Sequence, residues 1–311
     1  MVFNLHTHTR WSDGSSEPER YIEEALKQGF SVLGFSDHSP VPFENSFALK
    51  EKNLPVYCRS IRELKKQYAT SSSAEKTNKS VSPPGQSPGL GSQPGVAGNL
   101  PGAIEILLGI EIDFIPGITL AFEELQRKFN FDYTIGSVHL VREQNLEGLW
   151  FIDGPDISIY DEGIQRMFGG NGQKAVTAYY RQLQEMVSLH KPDIVGHLDK
   201  VKMYNRERYF SETDRWYINL IDETLELIAA SGAVVEVNTR GLYKKRSDSL
   251  FPGPDVLKKI LKRNIPVTVS SDAHKPEELS FLFDEAVFTL KNLGFKCQYV
   301  LSLGEWKEVL L

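Results

Sequence analysis

Short apolar, β-branched runs alternate with longer stretches of helical periodicity from one end of the chain to the other. Seven runs, VFNLHTH, SVLGFSDH, IEILLGIEIDF, DYTIGSVHLV, DIVGHLD, AVVEVNTRG and PVTVSSDAH, read as buried parallel strands. Between them EPERYIEEALKQGF, PVYCRSIRELKKQY, AVTAYYRQLQEMVSLH, DRWYINLIDETLELIAASG and PDVLKKILKRN place apolar residues at helical spacing. Pro18 suits the first turn of the first helix and Gly29 its end. Repeated βα units of this kind close into a barrel or wind into an open sheet. At 311 residues the chain is expected to form one α/β domain.

Two stretches break the rhythm. Residues 70–102 are rich in Ser, Pro and Gly and hold no aromatic residue, so they cannot bury enough apolar surface to offset ordering entropy. They are expected to be a flexible insertion within the single domain, on the face opposite the βα loops. Residues 141–173, after the fourth strand, are too long for an ordinary βα loop and read as a lid. Trp150 and Phe151 are its candidates to cover a substrate, with Asp153 or Asp156 to receive an amine.

A net charge of −6 supplies no basic field for a nucleic-acid backbone, so that class of partner is disfavoured. The two cysteines, Cys58 and Cys297, have no metal or redox spacing, as in a reducing compartment. No apolar stretch is long enough to span a bilayer and the chain starts directly with a strand, so a cytoplasmic location without a membrane partner is expected.

The chemistry gathers at strand ends. Six of the seven histidines, His6, His8, His38, His139, His197 and His274, lie at or just past the C-terminal end of a predicted strand, the rim where α/β folds bind ligands. His190 stands apart, at a helix end. His6 and His8 sit at i and i+2 and point to one side of a strand; Asp272 and His274 repeat the device on the last strand. Asp13, Asp37, Glu111, Asp113, Asp199 and Asp272 crowd the same rim. Imidazole and carboxylate donors without thiolates suit Zn, Fe or Mn. A metal-dependent amidohydrolase also opens with H-x-H, but its usual bridging lysine has no counterpart on a middle strand, where Glu111 stands.

The motifs HTHTRWSDG, FSDHSP, GIEIDF, IGSVH, VGHLDKVK, VEVNTRGLYKK and SSDAHKPEEL together resemble the polymerase and histidinol phosphatase (PHP) family, and its stand-alone histidinol-phosphate phosphatases in particular. The resemblance spans the chain apart from 70–102. It implies a distorted seven-stranded (β/α) barrel and three divalent ions. His6, His8, Glu111 and Asp272 would hold the first; Glu111, His139 and His197 the second; Asp13, His38 and His274 the third. The implied activity is hydrolysis of the small-molecule phosphomonoester L-histidinol phosphate in histidine biosynthesis, with another phosphomonoester as the alternative. Two cations bridged by a carboxylate can share a water, lower its pKa and clamp an in-line displacement. Glu111, Asp272 and His197 then act in catalysis through the ions they hold. Arg240 and Lys202 are expected to bind the phosphate, Arg240 through its planar fork of donors. Asp37, Asp199 and Glu236 are expected to stand behind the ligands.

Overall fold

The computed structural model describes residues 1–74, 104–143 and 148–311, the side chains of 70–74 excepted. The strands are β1 (Val2–Asn4), β2 (Phe30–Phe35), β3 (Glu105–Asp113), β4 (Tyr133–Ser137), β5 (Leu140–Val141), β6 (Trp150–Phe151), β7 (Ile194–Val195), β8 (Val234–Asn238), β9 (Val267–Ser270), β10 (Cys297–Ser302) and β11 (Glu305–Leu310). The helices are α1 (Pro18–Lys27), α2 (Leu54–Ala74), α3 (Phe122–Phe129), α4 (Ile157–Phe168), α5 (Gly172–His190), α6 (Arg215–Ser231), α7 (Arg240–Tyr243), α8 (Pro254–Lys262) and α9 (Phe283–Leu293).

Seven strands form one parallel sheet in the order β1-β2-β3-β4-β7-β8-β9. The ends of this sheet meet just beyond β1 and β9. There the His8 amide donates to the Ala273 carbonyl at 2.8 Å and the Ala273 amide to the His6 carbonyl at 3.1 Å. The result is a nearly closed, seven-stranded (β/α) barrel, the architecture implied by the sequence. Closure falls on the C-terminal rim, so the residues that join the first strand to the last are neighbours of the histidines.

β3 shows how one strand serves two cores and a site. Ile106, Leu108, Ile110 and Ile112 pack outward among the helices. The alternate positions face the barrel interior: Leu107 in the inner core, Gly109 against Tyr133, then Glu111 and Asp113 at the rim. The Tyr133 ring fills the interior below the site. A Cβ on Gly34 or Gly109 would come within 2.2 or 2.3 Å of it, so both positions need glycine.

Three features differ from the expectations. The β10–β11 hairpin, which the periodicity did not single out, packs Val300 and Leu301 among Phe3, Leu5, Val32 and Leu107 and stoppers the N-terminal end of the barrel. Helix α2 runs to Ala74, so the first residues of the expected insertion are helical; 75–102 lie outside the described residues. The expected lid is mostly regular structure, an antiparallel β5–β6 ribbon followed by α4 and the start of α5, with 144–147 outside the described residues.

Candidate metal centre and active site

Glu111 stands at the centre of the rim, and its two oxygens face different partners. Oε2 lies 3.3 Å from His6 Nε2, 3.4 Å from His8 Nε2 and 3.1 Å from His38 Nδ1. Oε1 lies 3.2 Å from His197 Nε2 and 3.7 Å from His139 Nε2, and accepts a bond from Ser137 Oγ at 2.6 Å. Asp272 Oδ1 approaches His8 Nε2 at 3.3 Å and His6 Nε2 at 3.8 Å. At the outer edge His274 Nε2 is 3.1 Å from Asp13 Oδ2, and the His8 and His274 rings are 4.2 Å apart.

All nine residues expected as ligands therefore meet in one place. Ligand atoms within 4.8 Å of one another form four groups: His8, Asp13, His38 and His274; His6, His197 and Asp272; His6, His8 and Glu111; His38, Glu111 and His139. This grouping is more interlocked than three separate sets, because His8 also reaches the outer group and His38 also reaches Glu111. The donors fit divalent cations. His6 Nε2 and His8 Nε2 are buried without a hydrogen-bond partner among the described residues, a costly arrangement unless a cation takes the lone pair of each.

The charges behind the ligands fix their orientation. Glu236 accepts from His6 Nδ1 through one oxygen and from the His197 amide through the other at 2.8 Å. The Asp113 carboxylate takes His139 Nδ1 on one oxygen and His38 Nδ1 on the other. Burial, helped by the neighbouring His274 and His38, pushes His8 down to about 3 and keeps it neutral. Burial also opposes charge on His38, yet Glu111 and Asp113 outweigh it and raise that imidazole to about 10. His197 and Asp272 hold left-handed backbone, φ 22° and 51°, a conformation uncommon for residues with a Cβ and frequent where a site dictates geometry.

Above the ligands lies a cavity of about 300 Å³. Its floor is Glu111, His139, Asp272 and His274, and Phe47, Phe151 and Phe251 form apolar wall. Arg240 opens α7 and lines the cavity, held by Nη1 donating to the Asp272 carbonyl at 2.8 Å and Tyr243 Oη at 3.2 Å. Lys200 is a second cation in the wall, its Nζ 2.8 Å from Asp153 Oδ2 and 3.3 Å from His139 Nε2.

The model of the PHP domain family matches residues 4–240. The chain belongs to the PHP family. Among curated relatives of this PHP chain, the probable histidinol-phosphatase of Deinococcus radiodurans is 28% identical over 293 residues, 93% of this chain and 92% of the relative. The histidinol-phosphatase of Bacillus subtilis is 25% identical over 296 residues, 90% and 96% of the two chains. Two solved structures share the fold. The putative histidinol phosphatase from Listeria monocytogenes superposes with a TM-score of 0.70 at 19% identity, covering 91% of this chain and 99% of its own. The histidinol phosphate phosphatase from Lactococcus lactis, complexed with zinc, L-histidinol and phosphate, does so with a TM-score of 0.62 at 20% identity and 98% coverage of both.

Several residues of the PHP chain stand elsewhere than expected. Lys202 does not line the cavity: its Nζ is 2.8 Å from Asp199 Oδ2 and 3.3 Å from Glu212 Oε2, because the 3-10 turn at Lys200–Lys202 sends the two lysines in different directions. Lys200 lines the cavity instead, and the motif VGHLDKVK held both lysines without distinguishing them. Asp199, committed to Lys202 and the Gly253 amide, does not orient His197. Asp37 binds the amides and hydroxyls of Thr9 and Ser12, and so fixes the loop that carries Asp13 rather than His38. Trp150 is buried, donating Nε1 to the Tyr160 carbonyl, and covers nothing; Asp156 caps α4. His190 ends α5 and stacks on Phe122 at 4.9 Å. Among the described residues no helix is long and apolar enough to cross a membrane.

Proposed function

We infer that this PHP chain is a metal-dependent phosphomonoesterase that hydrolyses histidinol phosphate to histidinol and inorganic phosphate, a step of histidine biosynthesis. The observation that carries the chemistry is Glu111, whose two oxygens face two histidine sets at the floor of a cation-lined cavity. The substrate follows from full-length relatives named histidinol-phosphatase. We assign three divalent ions, drawn from zinc, iron and manganese, to His6, His8, Glu111 and Asp272; to Glu111, His139 and His197; and to Asp13, His38 and His274. When bound, such ions lower the pKa of a shared water and neutralise charge on the attacking and leaving oxygens.

The chain's own groups do the rest. Arg240 and Lys200 receive the phosphoryl oxygens, and the Asp272 carbonyl and Asp153 hold these cations in place before substrate arrives. Glu236 and Asp113 keep the Nε2 atoms of His6 and His139 turned inward. Phe47 and Phe151, with ring centroids 5.8 Å apart, pack on each other into an apolar wall against which a flat ring can lie.

Steady-state turnover of histidinol phosphate against a panel of phosphomonoesters, with metal content measured on the same preparation, tests this reading. Histidinol phosphate should be preferred, and chelation should abolish turnover until a divalent ion is restored. Hydrolysis that survives complete metal removal, or an absence of turnover with metal loaded, would overturn it.

A further inference from the structure

Asp153 has one oxygen in use and one idle. Oδ2 pairs with Lys200 Nζ at 2.8 Å, while Oδ1 is buried and meets no donor among the described residues. The residue lines the catalytic cavity, three positions past the start of β6, on the same wall as Phe151. It belongs to none of the clusters that can hold a cation. A desolvated carboxylate oxygen without a donor is unfavourable in the free protein and favourable once a ligand supplies an N–H. Lys200 compensates one charge and leaves acceptor capacity on the other oxygen, so the pair can carry two cationic partners at once.

We propose that Asp153 Oδ1 is the acceptor for the primary ammonium group of the substrate, and thereby the residue that selects an amine-bearing phosphomonoester over an amine-free one. This rests on the reading of the chain as a histidinol-phosphate phosphatase, and places the two halves of the substrate on one ion pair. Lys200 holds the phosphoryl end while the free oxygen of its partner holds the amine. Phe47 and Phe151 receive the ring beside them. Asp156, the other acidic candidate, is exposed and spends its side chain on the Ser158 amide.

The test compares histidinol phosphate with its des-amino analogue on the metal-loaded wild type and on Asp153→Asn, recording kcat and KM. Wild type should favour the amine-bearing substrate by about 10–100-fold in kcat/KM, the worth of one hydrogen bond to a charged group. In Asp153→Asn both substrates fall through the loosened Lys200, but the preference between them should collapse to within a few-fold. An undiminished preference in the variant would overturn the assignment, as would equal turnover of the two substrates by wild type. The analogue comparison on wild type stands even where the variant fails to fold. Failure of the underlying reading looks different: wild type would then cleave a general aryl phosphate and neither imidazole compound.

Discussion

Arg240 and Lys202 carry the same charge in sequence and meet different fates in the fold. Arg240 opens α7 beside the Asp272 carbonyl and lines the cavity, whereas Lys202 closes a buried ion pair with Asp199. Replacing Arg240 by Lys keeps charge but loses the planar fork, whose bonds strengthen as charge develops on the phosphoryl group. Turnover by Arg240→Lys should fall about 10–1,000-fold, comparable with loss of one oxyanion donor. Metal content, read by elemental analysis, should stay at the wild-type level. Lys202→Met should behave in the opposite way. It strands the buried Asp199 carboxylate, so urea unfolding should show about 3–5 kcal/mol of lost stability while the folded fraction keeps near-normal kcat.

Among the elements, the parallel strands were legible and the closing hairpin was not. In β3 strict alternation sends Ile106, Leu108, Ile110 and Ile112 to the helices and Glu111 to the rim, so hydrophobic pattern and ligand position are one signal. β10 and β11 cover the inner core unequally: most of β10 is buried, with Val300 and Leu301 in the core, whereas β11 is partly solvent-facing and adds Trp306 and Val309 at its edge. Such a segment reads as amphipathic tail until the open barrel end it covers is known. Leu301→Ala should therefore cost about 2–5 kcal/mol, as for other large-to-small core changes, measured by chemical denaturation. Metal content and KM should be unchanged, because the hairpin lies at the end of the barrel away from the rim.

At the scale of the whole molecule the rim concentrates charge that the free chain cannot balance well. Six histidines and the carboxylates of Asp13, Glu111, Asp113, Glu236 and Asp272 converge, several with donor atoms left unpaired. Divalent ions that bind this folded rim and not the unfolded chain stabilise by mass action, about 4 kcal/mol per site at a thousandfold excess over Kd. Chelation should lower Tm by scanning calorimetry, and restoring zinc or manganese should recover it. Glu111 and Asp113 favour the proton on His38, and a ligand imidazole must be neutral. Metal occupancy should therefore rise with pH and fall on acidification.

The sequence by itself determined the α/β class, the count of seven parallel strands and the identity of the rim residues, while closure into a barrel was implied only by the family resemblance. Each of these depends on local pattern: apolar, β-branched runs mark the strands, helical spacing marks the segments between them, and histidines and carboxylates stand at or just past most of the strand ends. Only the tertiary structure decided which of two lysines flanking Val201 enters the cavity, that Asp37 braces a loop instead of a histidine, that Trp150 is core, and that the last two strands seal the barrel. Those outcomes turn on the directions a 3-10 turn gives to residues two apart, on partners that range from nearby helices to the opposite end of the chain, and on how much surface an open barrel end leaves to be covered. Local pattern does not encode such contacts, because they exist only once the sheet has curled and its first and last strands have met.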